Sequence, residues 1–390
     1  GVKGGDGAAA AKKPAKVHLL DSKTLRNTGI VFKRLRKTPN ELRDLVLAGD
    51  EEFLDHERLS QLRSIAPTPD LMRSLKAFQG DESQLDEVER FMVMVSRIPR
   101  YQSRLDCLVF AREFAGEEAF ARDKLAQLAA AGEEVRSSPR LKRIIEVVLA
   151  MGNFLNEGTR NGQARAIRLE SLLKLNTVKT TDKKRTLLHF LVQWAEDNEP
   201  QAGLARLDED VPNAPFAAAW NLADLNAQLV ALRNGLLQTH TQLKLAREGK
   251  DPVPEGDRFA EVLQPFLHKA QPVMDELDKE FEEASQAYSD LATRFGEDPR
   301  VTTSGQFFSL VTAFVENLGR AVRENELRRK ADERRAKREA AEKRKALRRA
   351  ESEARAQAQA AAAETAVAAV EPDQSAATTA TANPSQEEYK

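Results

Sequence analysis

The sequence has one cysteine in 390 residues, so no internal disulfide can form and no multi-cysteine metal cage can be built. That residue, Cys107, lies among Leu105, Leu108, Val109 and Phe110 and reads as a small core residue, which fits a reducing compartment. Aromatic residues are only 6% and the formal net charge is −1. The whole molecule is therefore not a polycation, and any basic surface that meets an acidic partner has to be local. No apolar run approaches the roughly 20 residues that span a bilayer. The first sixteen residues, GVKGGDGAAAAKKPAK, lack the apolar segment of a signal peptide. The five histidines, His18, His56, His189, His240 and His268, are far apart and have no metal-ligand spacing. HExxH, CxxC, EF-hand, Walker A, GxGxxG and GxSxG patterns are all missing. Carboxylate runs such as Asp50-Glu51-Glu52 sit in solvated helical contexts, and His189, between Leu188 and Phe190, reads as a satisfied core or boundary histidine. No cofactor, metal or enzymatic activity is expected.

What the sequence does have is charge and helix formers. Charged residues are 31%, and Leu, Ala, Glu, Lys and Arg dominate. No segment alternates with the period of two that marks a strand, so the expected fold class is all-α. Residues 1–16 read as a flexible linker. Residues 17–115 read as a compact subdomain of short helices, punctuated at Pro39-Asn40, Gly49-Asp50, Pro67-Thr68-Pro69, Gly80-Asp81 and Ile98-Pro99-Arg100. Residues 116–200 form the next unit, and Pro200 to Pro215 reads as a break. Leu222, Leu225, Leu229, Leu232, Leu236, Thr239 and Leu243 then alternate by three and four. After the Gly249–Gly256 turn a second stripe runs through Phe266, Ala270, Val273, Leu277, Ala284 and Leu291 to Phe295. Residues 215–295 thus read as a long helical hairpin, with an intermolecular coiled coil as the competing arrangement. Residues 296–325 form a closing helix and 326–355 a charged, basic one, expected to be solvated. Residues 356–390, rich in Ala, Thr, Ser, Gln and Pro, are expected to be disordered.

The most telling stretch runs from Leu141 to Trp194. Leu141, Ile144, Ile145, Val148 and Leu149 form one helical stripe. The helix then carries Gly152-Asn153-Phe154-Leu155-Asn156 where a core helix would stay apolar. A basic loop follows, and Thr186-Leu187-Leu188-His189-Phe190-Leu191 opens another apolar helix. An apolar frame holding a Gly-Asn surface and a basic loop suits protein contacts better than chemistry.

GNFLN and LLKLNTVKTTDKKRTLLHFL resemble the central signatures of the formin homology 2 domain. Five signatures occur in that family's order. The others are Leu19-Leu20-Asp21-Ser22-Lys23 with Arg26-Asn27-Thr28-Gly29-Ile30; Arg97-Ile98-Pro99-Arg100 with Arg104-Leu105 and Val109-Phe110; and Tyr288, Phe295-Gly296-Glu297-Asp298 and Phe307-Phe308. The resemblance covers residues 17 to about 325. It implies an elongated helical rod of knob, coiled coil and post, two of which are tied head-to-tail into a ring that nucleates actin filaments and rides their barbed ends. It places an apolar actin contact at Ile30, although periodicity alone would put Ile30 in the core with Leu25, Val31 and Leu35. It places a second actin contact at Lys179, extended by Lys183, Lys184 and Arg185, which read individually as a solvated loop. Gly152, Asn153, Phe154 and Asn156 match the post surface that receives the partner's strap in the homodimer; an internal Asn cap ending the helix is compatible with that role.

The family's tryptophan-bearing strap and its upstream proline-rich segment, which recruits profilin–actin, are not in this sequence, where Trp194 and Trp220 are the only tryptophans. The parent protein is expected to be longer at its N-terminus, cytoplasmic and part of the actin cytoskeleton. The leucine-rich acidic motif of autoinhibited formins does not precede the basic cluster. The competing function is a helical scaffold whose basic C-terminal helix binds nucleic acid or acidic membrane. Against it stand the lack of interleaved aromatics and the acidic residues that dilute phosphate binding.

Overall fold

A computed structural model of the chain describes residues 18–160, 162–180, 184–249 and 253–368, with side chains to residue 363. The fold is all-α. Its helices are α1 Ser22–Leu35, α2 Pro39–Ala48, α3 His56–Ser64, α4 Pro69–Lys76, α5 Glu87–Ser96, α6 Tyr101–Ser137, α7 Pro139–Leu155, α8 Glu170–Lys174, α9 Leu187–Asn198, α10 Ala214–Ala218, α11 Leu222–Arg247, α12 Phe259–Arg294 and α13 Ser304–Ala368. Among the described residues the only extended pairing is a single antiparallel bridge between Lys179 and Thr186. The chain divides into two units, residues 1–320 and 321–390.

Local chemistry sets the first helices. The Asp21 carboxylate accepts the Lys23 and Thr24 backbone N–H groups at 3.0 and 2.9 Å and starts α1. Thr38 and Glu41 form a reciprocal capping box at α2, with Pro39 in its first turn. Thr68 caps α4 ahead of Pro69 without the reciprocal half, its Oγ1 accepting the Leu71 N–H at 3.4 Å. The buried faces of these helices meet in a core that includes Phe32, Leu42, Leu59, Leu62, Phe91 and Leu105. Cys107 lies in this core, and burial pushes its thiol up to about 11. Glu89 is fully buried, and its Oε1 accepts the Leu19 and Leu20 N–H groups at 2.7 and 3.1 Å. A buried carboxylate thus fixes the path by which the chain enters α1.

The subdomain boundaries differ from those expected. The border at residues 115 and 116 falls inside α6, which runs unbroken for 37 residues because nothing between Tyr101 and Ser137 breaks a helix more strongly than Gly116 or Gly132. The hairpin is not separate from the first subdomain. Phe259 and Leu263 belong to its core, and Arg258 donates its N–H to Leu47 O at 2.9 Å. Arg104 pairs with Asp257 at 2.6 Å, both side chains 6% exposed, and its guanidinium lies over the Phe259 ring at 4.7 Å.

α6, α11 and α12 pack together along their lengths. The heptad stripe is buried within the chain at Leu225, Leu229, Leu232, Leu236, Thr239 and Leu243, with Leu222 half-buried. In α12 Ala270, Leu277 and Leu291 of the stripe are buried, and only at Phe266 and Val273 does the burial move one position on, to Leu267 and Met274. Met274 is buried and Val273 half-buried, and the buried set is Leu263, Leu267, Ala270, Met274 and Leu277. Pro265 and Pro272 lie inside α12, seven residues apart on one exposed face, so the carbonyls left without donors face water. Gly235 lets α11 approach Phe110, whose ring meets Phe114 and Phe266 edge-on at 5.7 and 5.9 Å.

The expected break at Pro200 to Pro215 is instead packed. Two short 3-10 turns and α10 bury Leu204, Leu207, Val211, Ala214 and Ala217. Polar anchors hold them. Asp210 accepts Ser138 Oγ at 2.7 Å and pairs with Arg140, and Glu134 accepts the Asn213 N–H at 3.0 Å. Past α12, Gly296 (φ 74°) completes a helix stop in which Glu297 N–H returns to Ala292 O at 2.9 Å. Phe307 then packs against Tyr288, Phe295 and Phe308.

In the second unit α13 extends to Ala368, through thirteen residues of the segment expected to be disordered. Residues 356–368 are mostly Ala, Gln and Glu, all strong helix formers, and no proline interrupts them before Pro372. Every residue of this helix from 329 to 363 is exposed.

Candidate functional site

α1 turns Thr28, Phe32 and Leu35 inward. Ile30, two residues from either Thr28 or Phe32, therefore falls on the outer face and is 52% exposed. Arg26, Asn27, Lys33 and Arg34, at i±3 and i±4 from Ile30, are exposed with it. Periodicity put Ile30 in the core because Leu25 and Val31 flank the true core stripe; both are only half-buried. The result is a lone aliphatic side chain within a cationic surface.

α7 buries Leu141, Ile144, Val147 and Val148 and ends at Asn156. Its last turn is open. Phe154 is 75% and Leu155 59% exposed, and nothing lies within 4 Å of the place a Cβ would take on Gly152. The asparagines differ from expectation. Asn153 holds Ala164 at both of its backbone groups, donating to Ala164 O at 2.9 Å and accepting the Ala164 N–H at 2.8 Å. Asn156 donates to Gly152 O at 2.8 Å, and its own carbonyl accepts Thr159 Oγ1 at 2.7 Å. Both amides are thus engaged within the chain, pinning the loop after α7 rather than reaching outward. The apolar Phe154 and Leu155, with bare Gly152, make the outward surface.

Lys179 sits on a short two-stranded turn between α8 and α9. Thr180 N–H donates to Arg185 O, and Leu187 N–H to Val178 O, each at 2.9 Å. Leu188 N–H donates to Leu175 O at 3.1 Å, joining the turn to α8. Lys179, Lys184 and Arg185 are exposed on it. Lys183 lies outside the described residues. The turn is closed by a capping box in which His189 replaces the usual Glu: its Nδ1 accepts the Thr186 N–H at 3.3 Å and lies 2.8 Å from Thr186 Oγ1. A His189 ring used in this way is a structural cap, with its proton on Nε2 when neutral. The sequence reads His189 as a core or boundary histidine but does not give this pairing, which Thr186 three residues earlier could have signalled.

Residues 3–319 match the model of the Formin Homology 2 Domain. The chain belongs to the formin homology 2 family. It is 33% identical over 344 residues to Formin-like protein 12 of Oryza sativa subsp. japonica, covering 87% of this chain and 20% of that protein. It is 31% identical over 323 residues to Disheveled-associated activator of morphogenesis 1-A of Xenopus laevis, covering 82% and 29%, and 30% identical over 322 residues to its Homo sapiens counterpart. This formin chain therefore spans less than a third of the length of those relatives. All described candidate residues lie in the matched region, on three separate elements; Gly152 and Asn153 are half-buried and the others exposed. Among the described residues no helix is long and apolar enough to cross a membrane, and no cluster of ligands suits a metal ion.

Proposed function

We propose that this formin module nucleates actin filaments and stays with their growing barbed ends, without enzymatic chemistry. The observation that carries the reading is Ile30, an aliphatic side chain left half in water by a helix that buries its neighbours, ringed by Arg26, Lys33 and Arg34. An apolar anchor inserted in a cleft, with cations engaging an acidic rim, is how a small docking surface combines affinity with steering. Lys179 adds a second cationic contact, flanked by Lys184 and Arg185 and, in the sequence, by Lys183. The turn that carries it is fixed at both ends by backbone hydrogen bonds, so little ordering is needed on binding.

Gly152, with Phe154 at the end of α7, receives the strap of a second copy in a head-to-tail homodimer of the parent protein. Asn153 and Asn156 act there indirectly, by holding the loop that borders this surface. Two linked modules hold actin subunits in filament-like geometry and so lower the entropic barrier to nucleation. Alternation between contacts of the Ile30 and Lys179 kind allows subunits to add without release. Profilin–actin would be supplied through a proline-rich segment upstream, and the setting is the cytoplasmic actin cytoskeleton. The test is pyrene–actin assembly with Ile30→Ala and Lys179→Asp. Each variant is expected to weaken the effect of the parent on assembly. If both match the parent, the site assignment is wrong.

A further inference from the structure

The basic helix carries a segregated charge face. From Lys330 to Arg355 the residues of α13 are exposed, and a regular helix of this length extends about 40 Å. Lys330, Lys337 and Arg344 recur every seven residues, and Arg334, Arg348 and Arg355 keep the same period one turn away, with Ala341 at the intervening position. Arg338, Lys345 and Arg349 fill the space between them. At 100° per residue these side chains fall in one sector about 140° wide that contains no acidic residue. Asp332, Glu333, Glu339, Glu342, Glu351 and Glu353 all project elsewhere. The only cations outside the sector are Arg335 and Lys343, and Arg335 is paired with Asp332 at 3.3 Å and Glu339 at 3.7 Å. Within the sector, Lys330 pairs with Glu326 and Arg349 with Glu353. Arg334, Lys337, Arg338, Arg344, Lys345 and Arg348 have no ion pair among the described residues. The acidic residues that dilute this segment in a count of the sequence therefore border its face and do not lie within it, Glu333 and Glu351 about 20° beyond one edge and Glu342 about 20° beyond the other.

We infer that this face adsorbs to the surface of an anionic lipid bilayer. A one-sided row of cations meets a flat anionic surface along its whole length, whereas the groove of a nucleic-acid duplex winds away from a long helix laid in it. Residues 320–368 contain no aromatic side chain on which unpaired bases could stack. Between Lys330 and Arg355 the uncharged residues are alanines with one leucine and one serine, so no apolar face inserts and the attachment is electrostatic and reversible by salt. Each cation at such a surface changes partitioning about fivefold.

The test is sedimentation of the full chain with phosphatidylcholine vesicles and with roughly 2:1 phosphatidylcholine–phosphatidylserine vesicles at low ionic strength. Binding is expected to the anionic vesicles only. Lys337→Gln with Arg344→Gln should weaken it about 30-fold, and Arg335→Gln with Lys343→Gln, an equal change in net charge off the face, less than about threefold. Glutamine keeps the helix propensity, and circular dichroism checks that all variants retain the helix. Equal losses in the two pairs, or no preference for anionic vesicles, would overturn the inference. So would face-dependent binding to duplex DNA with none to vesicles, which would give the face to nucleic acid.

Discussion

Three glycines in helices test whether Gly152 serves the chain itself or something outside it. In a helix interior glycine costs about 1 kcal/mol relative to alanine. At Gly235 the structure explains the choice: a Cβ there would sit 2.3 Å from Phe110 Cε2 and 2.6 Å from its Cδ2. The ring cannot retreat, because Phe114 and Phe266 meet it edge-on. Overpacking of this kind costs about 1–3 kcal/mol, which offsets or exceeds the helix gain of about 1. Gly235→Ala is thus neutral to destabilising by about 2 kcal/mol. At Gly152 and Gly116 nothing lies within 4 Å of the added methyl. Gly116→Ala should stabilise by up to about 1 kcal/mol, and Gly152→Ala, near its helix end, by somewhat less. Urea denaturation followed by circular dichroism gives all three values. The functional consequence runs the other way: in a chain supplied with the strap, Gly152→Ala should weaken dimerisation measured by sedimentation equilibrium, and Gly116→Ala should not. A Gly152→Ala chain that is markedly destabilised would show that the glycine serves internal packing, and the strap-receiving argument would lose its support.

Three further outcomes are expected. Asp257→Asn leaves the Arg104 charge buried and should cost about 3–5 kcal/mol in the same denaturation experiment, while Arg104→Met with Asp257→Leu should cost much less. Asn153→Ala removes both hydrogen bonds to Ala164 and should speed exchange of the Ala164 amide, with a stability loss of about 1–2 kcal/mol. Phe32→Ala should cost about 3–5 kcal/mol, whereas Ile30→Ala, two residues away on the outer face, should change stability by less than about 1 kcal/mol.

Much of the helical order was readable from short-range pattern. Asp21, Thr38-Pro39 and Thr68-Pro69 mark helix starts through interactions with residues two or three positions away, and the leucine stripe from Leu225 to Leu243 marks a buried face. What escaped was long-range or directional. Nothing near Arg104 in sequence points to Asp257, and nothing near Gly235 points to Phe110. Pro200 to Pro215 looked like a break because its prolines and polar residues hide the anchors that Glu134, Ser138 and Arg140 provide from α6 and α7. At the candidate site the motifs were legible but the surroundings of their residues were not. Ile30 needed the fold to leave the core, and Asn153 and Asn156 proved to be engaged by their own chain. The acidic residues of the basic helix suggested dilution until the helical projection separated the two signs.

The proposed actin contacts at Ile30 and Lys179 are tested by watching single filaments grow by fluorescence microscopy in the presence of the chain. Burying the exposed half of Ile30 is worth about 1 kcal/mol, or about fivefold in affinity. The account predicts that the parent chain alters growth at barbed ends and leaves pointed ends unchanged. The Ile30→Ala, Lys179→Asp double variant, folded as judged by circular dichroism, should need at least about fivefold more protein for the same effect. A double variant that acts on barbed ends as strongly as the parent, or a parent chain that acts equally on both ends, would contradict it.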